Sequence, residues 1–357
     1  MITVEEYFAG EPAHRASAPG RVNVLGEHTD YNDGFVLPTA LPCQTWVAID
    51  HSADAAFHLY SATLDQAVSF PHQGPAPEGF ARYIEGCVRL VEERGFSVPP
   101  AKIYINSDVP LGAGLSSSAA LEVATLRALR SWLKLDIDDV AIALMGQQAE
   151  IRYAKVNVGV MDQMASSLAD SEHLLFLDTR TLERRLLPLP PGGQLIVIDS
   201  GVARTLAASK YNERRAECQE AARRLGVPAL RDVVDPAAVE RLPSPFRERA
   251  RHVVNENNRV LEASRGVSAK RLGTLMNASH ASLRDDYEVS IGALDRLTEL
   301  LRTHLGVFGA RLTGAGFGGA CVALCRMDAA RQAAAEVLAR YNNEGYRGRI
   351  LIPEPGD

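Results

Sequence analysis

Three stretches of this 357-residue chain gather side chains able to do chemistry. In GEHTDYNDG, residues 26–34, the titratable groups Glu27, His28 and Asp30 fall within four positions, with Asp33 just beyond. The apolar runs VNVL and FVLPTAL flank them, so polar groups stand at the mouth of what reads as core. A metal site, a catalytic acid–base pair and a polyol-binding site are the candidates. No second histidine stands at a ligand spacing such as H-x-x-x-H, which counts against the metal.

The sharpest chemical signal is PLGAGLSSSAALEVA, Pro110 to Ala124. Gly112 and Gly114 let the backbone approach a ligand closely, and three serines lead directly into a helix. N–H groups at such a helix start, together with its dipole, form an anion site. The hydroxyls of Ser116, Ser117 and Ser118 can donate to phosphate oxygens or coordinate a metal. No lysine follows the second glycine, so this is not a Walker A loop. A glycine turn with a serine N-cap is the competing reading. The third stretch, NVGVMDQMASS, holds Asp162 as the lone charge between Lys155 and Asp170. A carboxylate among methionines and small residues is satisfied by hydrogen bonds, held ready as a base, or simply exposed. Glu150, on a helix twelve residues earlier, is equally ambiguous by itself. A second glycine run, TGAGFGG from Thr313 to Gly319, looks at first like a dinucleotide fingerprint. The run behind it, ACVALC, reads as a strand, whereas the fingerprint needs strand, turn and helix in that order. A tight turn packed close to another backbone is the better reading.

These segments need elements to hold them. Residues 44–50 read as a strand, and AKIYINS (101–107) alternates Ile103 and Ile105 against Lys102 and Tyr104. A polar loop, PHQGPAPEG, precedes a helix near 80–94. From Ser118 a helix runs to about Lys134, and Asp136 and Asp138 are N-cap candidates for the next. After Asp178, LERRLLPLPPGG holds three prolines and two glycines, placing a domain boundary near 180–193. Residues 1–180 then form one domain and 181–357 the other. Beyond the boundary lie charged amphipathic helices over 209–225, 245–265 and 268–282, the first with pairs such as Glu220–Arg224. Mixed strands and helices in two segregated halves indicate a two-domain α+β protein.

An apolar fraction of 46% with 23% charged residues is that of a globular chain with sizeable cores. A net charge of −6 argues against a nucleic-acid partner. The five cysteines, Cys43, Cys87, Cys218, Cys321 and Cys325, form no C-x-x-C pair and are expected to be reduced. The start, MITVEEYFAGEP, lacks the apolar core of a secretory signal. Arg311 and six glycines interrupt the apolar window LGVFGARLTGAGFGGACVALC, so it is not expected to span a membrane. A cytoplasmic protein is expected.

Taken in order, GRVNVLGEHTDYNDG, PLGAGLSSSAALEVA and LTGAGFGGACVAL resemble the motifs of the GHMP kinase family. Within that family, GVMDQM and SHASLRDDYEVS resemble the galactokinases. The resemblance runs from about Ala18 to at least Cys325. It implies an N-terminal ribosomal-protein-S5-domain-2-like domain with a left-handed βαβ unit, and a C-terminal ferredoxin-like domain. It also implies transfer of the γ-phosphoryl group of ATP to the 1-hydroxyl of galactose. Asp162 matches the base, and Arg21 matches the cation beside it, which favours the ionised carboxylate and stabilises charge at the transferring group. Glu27, His28, Thr29, Asp30, Gly159 (through its backbone) and Tyr211 match galactose-binding positions. Gly112, Ala113, Gly114, Leu115, Ser116, Ser117 and Ser118 match the nucleotide phosphate loop. Ser61 falls at a further ATP contact, and Ser118 with Glu150 matches the Mg²⁺ ligands. Phe80 stands where such kinases often carry a tryptophan near the adenine. Galactose and MgATP are the expected partners of a monomer or weak dimer, with neither nucleic acid nor membrane. The alternatives are a non-catalytic galactose- and ATP-binding regulator, and a kinase for a related sugar such as N-acetylgalactosamine or arabinose.

Overall fold

A computed structural model describes residues 2–203 and 207–353. The chain forms two compact units: one from residues up to Arg21, Ala40–Pro110 and Ser116–Ala169, the other from Val22–Thr39, Leu111–Leu115 and the chain from Asp170 onward.

The first unit is built on a five-stranded sheet, in the order His14–Asn23, Pro38–His51, Ala101–Ser107, Ala56–Ser61, Gln66–Pro71. The expected strand over 101–107 forms with those bounds. Its alternation buries Ala101, Ile103 and Ile105 on one face. It pairs antiparallel with Pro38–His51, Val47 opposite Ile105, and parallel with Ala56–Ser61. Against this face pack Phe80–Glu93, Ser117–Leu133 and Asp139–Arg152, whose Ile84, Val88, Leu126, Leu129 and Ile142 complete the core. Asp138 caps the last of these, its carboxylate accepting from Ala141 N–H at 2.7 Å. Gly86 lets two of the helices touch, because a Cβ there would meet the Ala149 Cβ at 2.7 Å.

In the second unit a four-stranded antiparallel sheet runs Val307–Thr313, Ala320–Arg326, Gly193–Asp199, Arg349–Ile352. Its buried residues, among them Leu312, Cys321, Ala323, Ile196 and Ile198, share a core with the helices Phe246–Ala263, Gly292–Thr303 and Ala330–Asn343. A small sheet of Phe35–Val36, His173–Asp178 and Arg184–Pro188 stands apart from it. The helices Ala207–Leu225 and Ala269–Asp285 also lie where the periodicity sets them. Glu220 holds both Arg223 and Arg224 at 2.7 Å on the exposed face of the first, where such pairs contribute little.

TGAGFGG is a turn between two paired strands, as its flanks require. Gly316, at φ +77°, faces the Val289 carbonyl so closely that a Cβ would lie 2.2 Å from it. All five cysteines are free thiols. Among the described residues no helix is long and apolar enough to cross a membrane.

Candidate active site

In the first unit the sequence-predicted residues Arg21, Ser116, Ser118, Glu150 and Asp162 converge. Arg21 lies in the buried half of its strand and is only 4% exposed. Its Nε and Nη2 donate to Asp162 Oδ1 at 2.8 and 2.6 Å. Asp162 stands in the first turn of the short helix Met161–Leu168. Ser166 on that helix donates to the Pro19 carbonyl at 2.8 Å, two residues before Arg21. Arg127 braces the arrangement, donating to the carbonyls of Ser17 and Ser167 at 2.8 and 2.9 Å. Three elements distant in sequence are thereby held around one ion pair.

Ser116 departs from a simple N-cap. It sits in the left-handed region at φ +60°, ψ +46°, and its side chain makes no capping bond to the helix it precedes. Its hydroxyl instead donates to Asp162 Oδ2 at 2.5 Å. A non-glycine residue in this region costs on the order of 1–3 kcal/mol, and such strain clusters at functional sites. Turning Ser116 away leaves the N–H groups at the helix start without a side-chain cap, as an anion site requires. Gly112 and Gly114 adopt φ +73° and +82° in the loop before it, and Ala113 and Leu115 are buried. Ser117 and Ser118 are half-buried at the first positions of the helix.

Glu150 is 5% exposed and hydrogen-bonded by Ser118 and by the Gln163 amide. Burial first, then the charge of Asp162, pushes its pKa up to about 7, against the opposing pull of those bonds and of Arg21. This is a carboxyl group short of positive charge. Gly159 is buried just ahead of Asp162. Ser61 and Phe80 belong to the same unit. The Ser61 hydroxyl accepts from Leu64 N–H at 3.3 Å, and Phe80 packs on the core at the start of its helix.

The second unit holds the signature loop. Glu27 is 3% exposed, and its Oε2 accepts from Arg311 Nη2 at 2.7 Å and from Gly314 N–H at 2.9 Å. Arg311 is fully buried and also lies 4.0 Å from Glu256. Glu256 accepts from Gly26 N–H, Ser279 and Arg259 at 2.8, 2.7 and 2.6 Å. Burial alone would raise the Glu256 pKa. Arg259, Arg311, His252 and Ser279 outweigh it and bring the value down to about 2. His28, at φ +63°, meets the Tyr31 hydroxyl through Nδ1 at 2.8 Å. Tyr31 meets Tyr287 at 2.8 Å, and Tyr287 meets Cys218 Sγ at 3.1 Å. Burial, then His252, holds the His28 pKa well below its ordinary value. Tyr211 packs on this group, its ring centroid 5.6 Å from that of His28 and 5.1 Å from that of Tyr31. The Thr29 hydroxyl lies 2.8 and 2.7 Å from the carbonyls of Gly26 and Phe35, where it shapes the loop. Asp30 opens a short turn, half-buried, its carbonyl accepting from Thr179.

Arg311, Glu256, Tyr287, Glu122 and Gln163 escaped the sequence reading. Arg311 had a signal, being a lone cation in an apolar glycine-rich window. So did Glu122, the one charge within SSSAALEVATL.

Comparison with known proteins places the chain in a family. Residues 5–51 match the galactokinase galactose-binding signature, 82–170 the N-terminal domain of the GHMP kinases, and 261–343 their C-terminal domain. A galactokinase from Roseiflexus sp. (strain RS-1) is 43% identical over 333 residues, 90% of this chain and 85% of the relative. The structure of Lactococcus lactis galactokinase complexed with galactose superposes with a TM-score of 0.90 at 31% identity, covering 97% of this chain and 94% of that one. Methanococcus jannaschii mevalonate kinase, at 18% identity, shares the fold with a TM-score of 0.70 over 95% of this chain and 98% of its own. The expected α+β GHMP kinase fold is the one observed, and with a curated galactokinase matching most of its length the chain belongs to the galactokinase family of the GHMP kinases.

Proposed function

We propose that Asp162, Arg21 and the serine-led helix start carry the work of moving the γ-phosphoryl group of ATP onto the 1-hydroxyl of galactose. The supporting observation is how Asp162 is held. A carboxylate oxygen accepts about two hydrogen bonds, and Arg21 fills Oδ1 with both of its own. Oδ2 takes one from Ser116 and keeps acceptor capacity for a sugar hydroxyl. The 1-hydroxyl gives its proton to Oδ2 as its oxygen bonds to the γ-phosphorus, and the bond from that phosphorus to the β–γ bridging oxygen breaks to release ADP. Such transfers depend on positioning and charge neutralisation more than on covalent help. Arg21 supplies fixed positive charge beside the reacting oxygen, and the helix start supplies N–H donors to the phosphates.

Ser118 and Glu150 would hold a Mg²⁺ ion. Both offer oxygen, as Mg²⁺ requires, and a buried carboxyl whose pKa is driven up to about 7 fits a neighbouring divalent cation. When bound, the ion neutralises charge on the nucleotide phosphates. Glu27, His28, Asp30 and Tyr211 read the sugar hydroxyls, with Arg311 and Gly314 holding Glu27 in place. Glu27→Ala and Asp30→Ala are each expected to raise the galactose KM roughly ten- to a hundredfold, the cost of one charge-assisted hydrogen bond of about 1.5–3 kcal/mol. Each should also narrow the preference for galactose over glucose. Unchanged KM and preference in both variants would remove them as readers of the sugar. Five free thiols suit a reducing, cytoplasmic setting, with the protein working as a monomer or weak dimer.

A coupled kinase assay at fixed ATP and Mg²⁺, across galactose, glucose, N-acetylgalactosamine and arabinose, tests the reading. Galactose is expected to turn over fastest. Faster turnover of another sugar would reassign the substrate, and no turnover on any would leave a binding protein.

A further inference from the structure

Behind Glu150 the first unit buries two polar side chains that take no part in the phosphoryl transfer. Glu122, on the helix Ser117–Leu133, and Gln163, next to Asp162, are both fully buried. Gln163 Nε2 donates to Glu122 Oε2 at 2.9 Å and to Glu150 Oε2 at 2.7 Å, so each of its two N–H groups serves one carboxyl. The opposite flip of the amide would set its oxygen against both. Gln163 Oε1 and Glu122 Oε1 are each buried with no hydrogen-bond partner among the described residues.

Two orphaned acceptors on side chains already joined through their other atoms call for a proton between them. An amide oxygen cannot supply it, and a carboxyl group can. The surroundings agree: Glu122 is fully buried, and burial disfavours the charged form of a carboxyl group. Gly146 makes room for the pair, since a Cβ there would lie 3.1 Å from Gln163 Cγ and 3.4 Å from Glu122 Cβ.

We infer that Gln163 is a positioning residue for Glu150, and that Glu122 locks its amide in place by donating a carboxylic proton to Gln163 Oε1. The resulting acid–amide pair fixes which way the amide faces. Its second N–H is thereby presented to Glu150, which holds that carboxylate in one orientation toward the cation. The inference rests on the reading of Glu150 as a cation ligand. Partners of this kind are worth about ten- to a hundredfold in metal affinity.

The test measures Mn²⁺ binding to the whole chain with a non-hydrolysable ATP analogue, by electron paramagnetic resonance of the free ion, alongside galactose affinity by calorimetry. Gln163→Met and Glu122→Met are expected to weaken Mn²⁺ binding about ten- to a hundredfold and leave galactose binding unchanged. Glu122→Gln, which offers an N–H where the acid offers its O–H, is expected to restore most of the loss. Equal weakening by Glu122→Gln and Glu122→Met would overturn the proposal, because the charge rather than the proton would then matter. So would Mn²⁺ affinity unaltered by Gln163→Met. If the methionine variants do not fold, Glu122→Gln against the unsubstituted chain decides, with matching affinity in favour and a loss against. Glu150→Gln is the control. If it leaves Mn²⁺ binding intact the ligand reading itself fails, and if it abolishes binding while the other variants do nothing, only the positioning role of Gln163 and Glu122 falls.

Discussion

Asp162→Ala is expected to lower kcat by about 10²–10⁴-fold, the usual contribution of a positioned general base, while galactose still binds and the circular dichroism spectrum is unchanged. The fold should survive because the Asp162 side chain is 26% exposed, so water can take its place beside Arg21. Ser116 also keeps its position, which the loop backbone sets. Arg21→Ala is expected to cost a comparable factor, because it removes both hydrogen bonds to Oδ1 and the positive charge beside the reacting oxygen. The two residues act as one unit, so the double variant should be little worse than the worse single one. Steady-state kinetics on the three variants checks this. Near-normal turnover in either single variant would remove the assignment, and multiplicative losses would show that the residues act separately.

The second large effect is on stability. Arg311→Met is expected to destabilise the second unit by about 3–5 kcal/mol, the usual cost of breaking one side of a buried ion pair. Arg311 is fully buried, and its loss takes the guanidinium from Glu27 and one of two from Glu256, carboxylates that are themselves nearly or wholly buried. The pH dependence gives a second readout. Glu256 is held down from 4.5 to about 2, so its contribution is fully present above the unfolded value and is lost as the pH falls through about 2. His252 is lowered by burial from 6.5 to about 4, and the stability linked to it is lost as the pH falls between those values. Without Arg311, Glu256 and His252 both lose a positive charge that lowers their pKa values, so the stability lost on acidification should shrink. Denaturant unfolding at pH 7 and pH 4 measures both effects. A variant as stable as the parent, with the same acid limb, would show that the network carries little.

Much of the scaffold comes from local chemistry. Alternation over 101–107 makes a strand with those ends, and an aspartate three residues ahead of Ala141 caps the helix as its spacing requires. TGAGFGG does not start a helix, because the continuously apolar run behind it is a buried strand of the sheet. The residues able to do chemistry were legible for the same reason: GEHTDYNDG, LSSSAA and the lone Asp162 are short-range patterns of type and spacing.

Partnership is another matter. Asp162 by itself suits a base, a structural carboxylate or a surface charge. What distinguishes it is Arg21, 141 positions away, on one oxygen and Ser116, 46 away, on the other. Ser116 reads locally as an N-cap, yet packing turns it into a left-handed conformation and aims its hydroxyl at Asp162 instead of its own helix. Glu27 reads as a carboxylate open to a ligand, but one of its oxygens belongs to Arg311, 284 residues on. The sequence by itself determined which groups exist, which short elements carry them and which family they mark. Only the tertiary structure decided which buried charges neutralise one another, because burial makes an unpaired charge so costly that distant residues must meet it.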